Sequence, residues 1–200
     1  MGLILMKFLL TLLLIFSVQS LTKADDVSDF EIEGMSIGDS LLDFVKEENI
    51  LAEIEANKYM YAYASDKFGE VYINDRSFDK YDTISVFVKT RDKKYTIYRI
   101  SASIDVTENM SKCNSLMKQV SNEFSSIFIE AKKQEFSDNH PVDETGRSKS
   151  KTISFIMKNK DVAGIQCNDF EESLRKKNNW FDSFTVAIQK KEVEDWFKGK

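Results

Sequence analysis

Residues 109–131, NMSKCNSLMKQVSNEFSSIFIEA, have the apolar period of one long amphipathic helix. Their apolar side chains recur at steps of three and four, which places these residues on one helix face: Cys113, Leu116, Met117, Val120, Phe124, Ile127, Phe128 and Ala131. Thr107 and Asn109 are each suited to cap the first turn by accepting a hydrogen bond from a free N–H. Segments that alternate like strands precede and follow the helix, so we expect it to cover one face of a sheet.

The strand-like segments alternate apolar and polar side chains with a period of two. They cover residues 70–74, 84–89, 95–106, 153–157, 163–167 and 184–188. In the longest, the predicted inward residues are Tyr98, Ile100, Ala102, Ile104 and Val106, and the predicted outward residues include Arg99, Ser101 and Ser103. Residues 138–150 are polar and predict a loop. The sequence therefore predicts an α+β domain with an antiparallel sheet of about five or six strands, wet on one face and covered by the long helix on the other.

The first 24 residues have the pattern of a secretory signal peptide. Lys7 precedes an apolar run, FLLTLLLIF at residues 8–16, and small residues suited to cleavage occur at Ser20 and Ala24. The run is shorter than the roughly 20 residues that span a bilayer. We expect export to the periplasm or the medium, cleavage near residue 20 or 24, no stable membrane insertion afterwards, and one mature domain over residues 25–200.

An acidic, partly helical arm is predicted at residues 25–56. It carries eleven acidic residues against Lys46 alone, about −10, whereas residues 57–200 carry about +3. Ser36 is suited to cap a helix with Asp39 in its first turn, and Ile50, Leu51 and Ile54 predict a second short helix. The arm either lies on the weakly basic body or offers an acidic surface to a basic partner or to calcium. The net charge of −5 argues against nucleic acid as a partner.

The two cysteines, Cys113 and Cys167, fall on predicted inward faces of the helix and of a strand. An exported chain reaches an oxidising compartment, so these residues predict one intrachain disulfide. Closing a loop of about 55 residues would stabilise the fold by roughly 4 kcal/mol in the chain-entropy model. The alternative, a redox-active pair, usually requires a C-x-x-C spacing that this chain lacks.

The remaining candidate residues specify no chemistry. His140 is the single histidine, and a serine nucleophile would have to use it with Asp138 or Asp143. Three acids close in sequence could together bind a calcium ion, although their spacing matches no known calcium loop: Asp75, Asp79 and Asp82. Three alternating tyrosines predict an extended segment that either grips a ligand by stacking or half-buries itself: Tyr59, Tyr61 and Tyr63. We predict no catalytic residue, no metal site and no cofactor.

Residues 32–43 (IEGMSIGDSLLD), residues 81–84 (YDTI) and the paired cysteines resemble a group of small exported proteins of marine, AT-rich bacteria. That resemblance covers most of the mature chain and implies export and a shared fold, with no known activity. Gly34-Met-Ser before a helix is also similar to the helix start of SmpA/OmlA-type outer-membrane assembly proteins, although this chain lacks their amino-terminal lipobox cysteine.

These observations favour a non-enzymatic periplasmic or secreted module that binds a protein or a small-molecule ligand or interacts with the envelope. Its candidate surfaces are the polar sheet face, the tyrosine row and the acidic arm. The alternative is a hydrolase that uses carboxylates in a cleft formed only by the fold.

Overall fold

The computed structural model describes residues 26–62, 64–74, 77–107 and 109–199. The predicted signal peptide lies outside these ranges, as do Tyr63 and Asp75 from the tyrosine and calcium hypotheses. Within the described ranges, no helix combines the length and the apolar character that a membrane span requires.

The secondary structure confirms the α+β class and the antiparallel sheet. In chain order the elements are β1 (Glu31–Ile32), β2 (Met35–Ser36), α1 (Glu47–Asn57), β3 (Phe68–Tyr72), β4 (Thr83–Lys89), β5 (Ile97–Asp105), α2 (Met110–Ile127), β6 (Lys132–Asn139), β7 (Lys149–Ile156), β8 (Val162–Asp169), α3 (Glu172–Asn178), β9 (Ser183–Gln189) and α4 (Lys191–Phe197). Seven strands form the main sheet in the order β3-β4-β5-β9-β8-β7-β6, and β1 and β2 form a separate hairpin.

The predicted count of five or six strands missed β6. This strand pairs with β7 along its whole length, yet seven of its eight residues are exposed. A strand that is exposed on both faces needs no apolar residue at alternate positions, so its sequence, KKQEFSDN, carries no period of two. The loop predicted at residues 138–150 is accordingly shorter, because β6 extends to Asn139 and β7 begins at Lys149.

Helix α2 covers one face of the sheet as predicted, but it is shorter than the predicted 109–131. The Asn109 side chain accepts a hydrogen bond from the Lys112 N–H at 3.1 Å and begins the helix. Helical structure stops at Ile127, and the chain then turns into β6. The Phe124 ring packs edge-on against Phe155 of β7 at 5.6 Å between centroids, so the helix and the sheet share one core.

The amino-terminal arm lies on the α2 side of the core, where the Phe30 ring contacts Phe124 at 5.7 Å between centroids. The prediction that a helix begins at Ser36 is wrong. Ser36 belongs to β2, its N–H donates to the Asp39 carboxylate at 2.8 Å, and Gly38 takes a φ of +100° that a right-handed helix cannot contain. Helical structure begins later, with one 3₁₀ turn at Leu41–Asp43 and then α1.

A second, smaller apolar cluster lies on the opposite face, under α4. Phe68, Phe87, Val193 and Trp196 form its buried centre. The predicted inward position of Tyr98 is wrong, because Tyr98 packs against this second cluster. A β-bulge causes the change: Val88 pairs with Ile97 and Phe87 pairs with Arg99, which leaves Tyr98 as the extra residue between them.

Candidate functional site

The disulfide joins α2 to β8 beneath the helix. Cys113 and Cys167 are both buried, and their Cα atoms lie 6.0 Å apart. This is the pairing that the sequence predicts. Because both residues are buried in the folded chain, the geometry suits a structural link rather than a thiol that exchanges with a substrate.

His140 directly follows β6, and its ring packs at a tilt of 59° against Phe170, with 4.8 Å between ring centroids. Its Nδ1 accepts the Val142 N–H at 3.3 Å, and partial burial lowers its pKa. The Asp143 carboxylate accepts hydrogen bonds from the N–H and the hydroxyl of both Thr145 and Ser148. These contacts organise a loop and do not assemble a serine–histidine–aspartate constellation.

The predicted extended row of tyrosines is wrong. Tyr59 and Tyr61 lie in a short 3₁₀ helix, Lys58–Tyr61, which sends their side chains in different directions. Tyr59 is 75% exposed, whereas Tyr61 packs against Trp196 at 5.3 Å between ring centroids. The two described tyrosines therefore do not form one stacking surface.

The acids singled out from the sequence contact the body of the same chain at several points. Asp82 accepts the Asp105 N–H at 2.7 Å, and Asp26 pairs with Lys190 at 2.9 Å. Glu47 accepts the Tyr95 hydroxyl at 3.0 Å. Among the described residues, no group of three metal-binding side chains lies close enough to hold an ion.

One surface that could receive a partner is the face of the sheet opposite α2. Two adjacent rows of side chains cross its five central strands. We call these ten positions the open face: Thr83, Ser85, Ser101, Ser103, Thr152, Ser154, Gly164, Gln166, Thr185 and Ala187. None is charged, although 30% of all residues in the chain are. Eight of the ten are partly exposed, whereas Ser85 and Ala187 are buried. Their hydroxyl and amide groups bond across strands, as in the 2.8 Å contact between Ser103 and Thr185.

At one end, α4 covers the sheet and fixes a buried polar network. The Glu70 carboxylate accepts the Tyr61 hydroxyl at 2.8 Å and bonds Ser85, and burial raises its pKa against these bonds and the charge of Arg99. The Arg99 guanidinium donates to Gln189, which in turn donates to Glu194 of α4. A cavity of about 270 Å³ lies beside Glu70 and Tyr61. This network was missed from the sequence, because its members lie far apart along the chain.

No protein-family model matches this chain, and neither a curated protein nor a solved structure matches it. The functional argument therefore depends on the chain's own geometry.

Proposed function

We propose that this protein is an exported, non-enzymatic module that binds a protein partner on the open face. One observation carries the proposal: ten adjacent positions on a broad sheet surface bear no charge. A solvated sheet face normally carries Lys and Glu, whereas the centres of protein interfaces are depleted of charged residues.

The dimensions of the surface favour a protein over a small molecule. Strands lie about 4.8 Å apart, so the five strands of the open face span roughly 24 Å, enough to form the uncharged centre of a standard interface of about 800 Å² per partner. Small ligands instead select concave pockets of about 300–1,000 Å³. The charged Asp105 lies at the border, where it ends the outward row of β5, and it fits the polar rim of an interface.

The alternative, a carboxylate-dependent hydrolase, would depend on Glu70 and the cavity beside it. Carboxylate-dependent glycoside hydrolysis, for example, needs two carboxyl groups that flank one substrate bond. Glu70 is instead bonded by Tyr61 and Ser85, so the proposal of a binding module is preferred.

Site-specific photo-crosslinking from the full chain in living cells tests the proposal. A photoreactive residue at Thr185, in the centre of the open face, is expected to give one discrete protein adduct. The same residue at Ser126, exposed on α2, is the matched control and is expected to give none. Adding Ser103→Lys should abolish the Thr185 adduct. Equal adducts from both positions, or an adduct that Ser103→Lys leaves unchanged, would refute the open face as the site.

The mass of the purified protein tests export separately. A chain that begins near residue 21 or 25 would support the predicted signal peptide, and a chain that retains residues 1–24 would refute it.

A further inference from the structure

The two edges of the main sheet differ in how their backbone groups are bonded. At the β3 edge, α1 supplies side chains: Glu53 accepts the Tyr72 N–H at 3.2 Å, and the Asn57 amide donates to the Glu70 carbonyl at 3.4 Å. At the β6 edge, no side chain of the described chain bonds the outward N–H and C=O groups. An eight-residue strand without a bulge or proline is thus open to pairing with another strand.

Large apolar side chains are exposed along this same edge. Phe136, near the middle of β6, is 49% exposed. Ile129, three residues before the strand begins, is 67% exposed, and Val142, three residues after it ends, is 47% exposed. Exposed apolar side chains thus occur on the unpaired strand and beyond both of its ends, within reach of a second strand that pairs there. Ile129 lies seven residues before Phe136, and Val142 lies six residues after it.

We propose that β6 is a self-association site, at which the β6 strands of two copies of this chain pair antiparallel about a two-fold axis at Phe136. A two-fold axis brings the start of one strand beside the end of the other. The end that carries Ile129 in each copy then lies beside the end that carries Val142 in the other. A second copy therefore fits this edge, because its own apolar side chains meet the exposed ones from both sides of the axis.

The register follows from symmetry and charge. The axis lies normal to the sheet, so opposed residues must share a face. An axis at Glu135 would oppose two carboxylates, and an axis at Gln134 would pair only residues 132–136 of the strand. The axis at Phe136 pairs residues 133–139, places the two Phe136 rings together and sets Lys133 opposite Asn139.

The lysines of β6 do not prevent this pairing, although edge lysines commonly do. Lys133 already forms an ion pair with Glu135 of its own strand at 3.0 Å. In the proposed register Glu135 faces Ser137 of the second copy, so no like charges are opposed. Two sheets would join into one of fourteen strands, whether or not the open face binds a partner.

Disulfide trapping tests the register. In Phe136→Cys, the two new cysteines would lie about 4.5–5.5 Å apart between Cα atoms, within disulfide reach. In Ser137→Cys, the matched control, they would lie roughly 8 Å apart, which is too far. Mild oxidation is expected to give a covalent dimer from Phe136→Cys alone. Equal dimer from both variants, or none from Phe136→Cys, would overturn the proposal.

Light scattering on the chain with its native cysteines tests association itself. The wild-type mass should rise towards that of a dimer with concentration. Phe136→Lys opposes two ammonium groups on the axis and should remain a monomer, whereas Ser137→Lys faces Glu135 of the second copy and should still associate. A wild type that stays monomeric, or two lysine variants that behave alike, would refute self-pairing. Thermal unfolding of each variant identifies any that fails to fold, and Phe136→Glu then replaces it as the like-charge test.

Discussion

Breaking the Cys113–Cys167 disulfide should cost a large share of the stability of this domain. The two cysteines are 54 residues apart. In the chain-entropy model, a loop of this length restricts the unfolded chain by about 4 kcal/mol. Each kcal/mol shifts Tm by roughly 2–4 °C in a domain of this size, so the reduced protein should melt about 8–16 °C below the oxidised one.

Urea unfolding of the purified protein with and without a phosphine reductant measures this effect, and Cys113→Ala/Cys167→Ala serves as a second form without the bond. The m-value should rise on reduction because the unlinked chain exposes more surface when it unfolds. Equal midpoints for the oxidised and reduced forms would refute the reasoning. Two thiols that react in the native protein before any reductant is added would refute the bond itself.

Three further predictions concern single side chains. Phe124→Ala should cost about 3–5 kcal/mol of unfolding free energy because the ring is fully buried. Phe136→Ala should change the unfolding free energy by less than about 0.5 kcal/mol at concentrations where the chain is monomeric, because that ring is exposed. Similar losses for the two variants in urea titrations would contradict the buried position of Phe124 and the exposed position of Phe136. Burial raises the pKa of Glu70, so the folded chain favours its protonated form, and the stability of wild type relative to Glu70→Gln should fall as pH rises above about 4. A constant difference between pH 4 and pH 7 would argue against burial of that charge. Hydrogen bonds from Thr145 and Ser148 hold the pKa of Asp143 well below its usual range, so wild type should lose stability relative to Asp143→Asn as pH falls below about 4. Thermal melts of both proteins at pH 5 and pH 3 measure this loss. Equal losses of stability in the two proteins would contradict the prediction.

Local patterns predicted the parts of the fold in which one face is buried. The period of α2 and the alternation of β7 and β8 are properties of neighbouring residues, so the helix, most strands and the inward cysteines could be predicted. The conformation of β6 depends on its backbone pairing with β7, which leaves no periodic signal. The bulge at Tyr98 shifts that residue to the other face, and the alternation continues past it without a break.

The candidate surfaces also divide into residues whose position could be predicted from local pattern and residues whose position depends on distant parts of the chain. Ser101 and Ser103 were predicted to face outward from β5, but the uncharged surface emerges only when five strands are aligned. Glu70 looks like an ordinary strand residue in the sequence. Its burial depends on Tyr61, Arg99 and α4, which reach it from distant parts of the chain.

The position of β9 constrains how the chain can assemble. This strand is the last of the sheet in chain order, yet it lies between β5 and β8 and is the only link between β3–β5 and β6–β8 within the described sheet. A chain made or translocated from its amino terminus therefore holds two incomplete sheets, each with an unpaired edge, until residues 183–189 arrive. Loss of β9 would leave two sheets prone to aggregation rather than a slightly smaller domain, and a chaperone that protects this chain would be needed most in that interval.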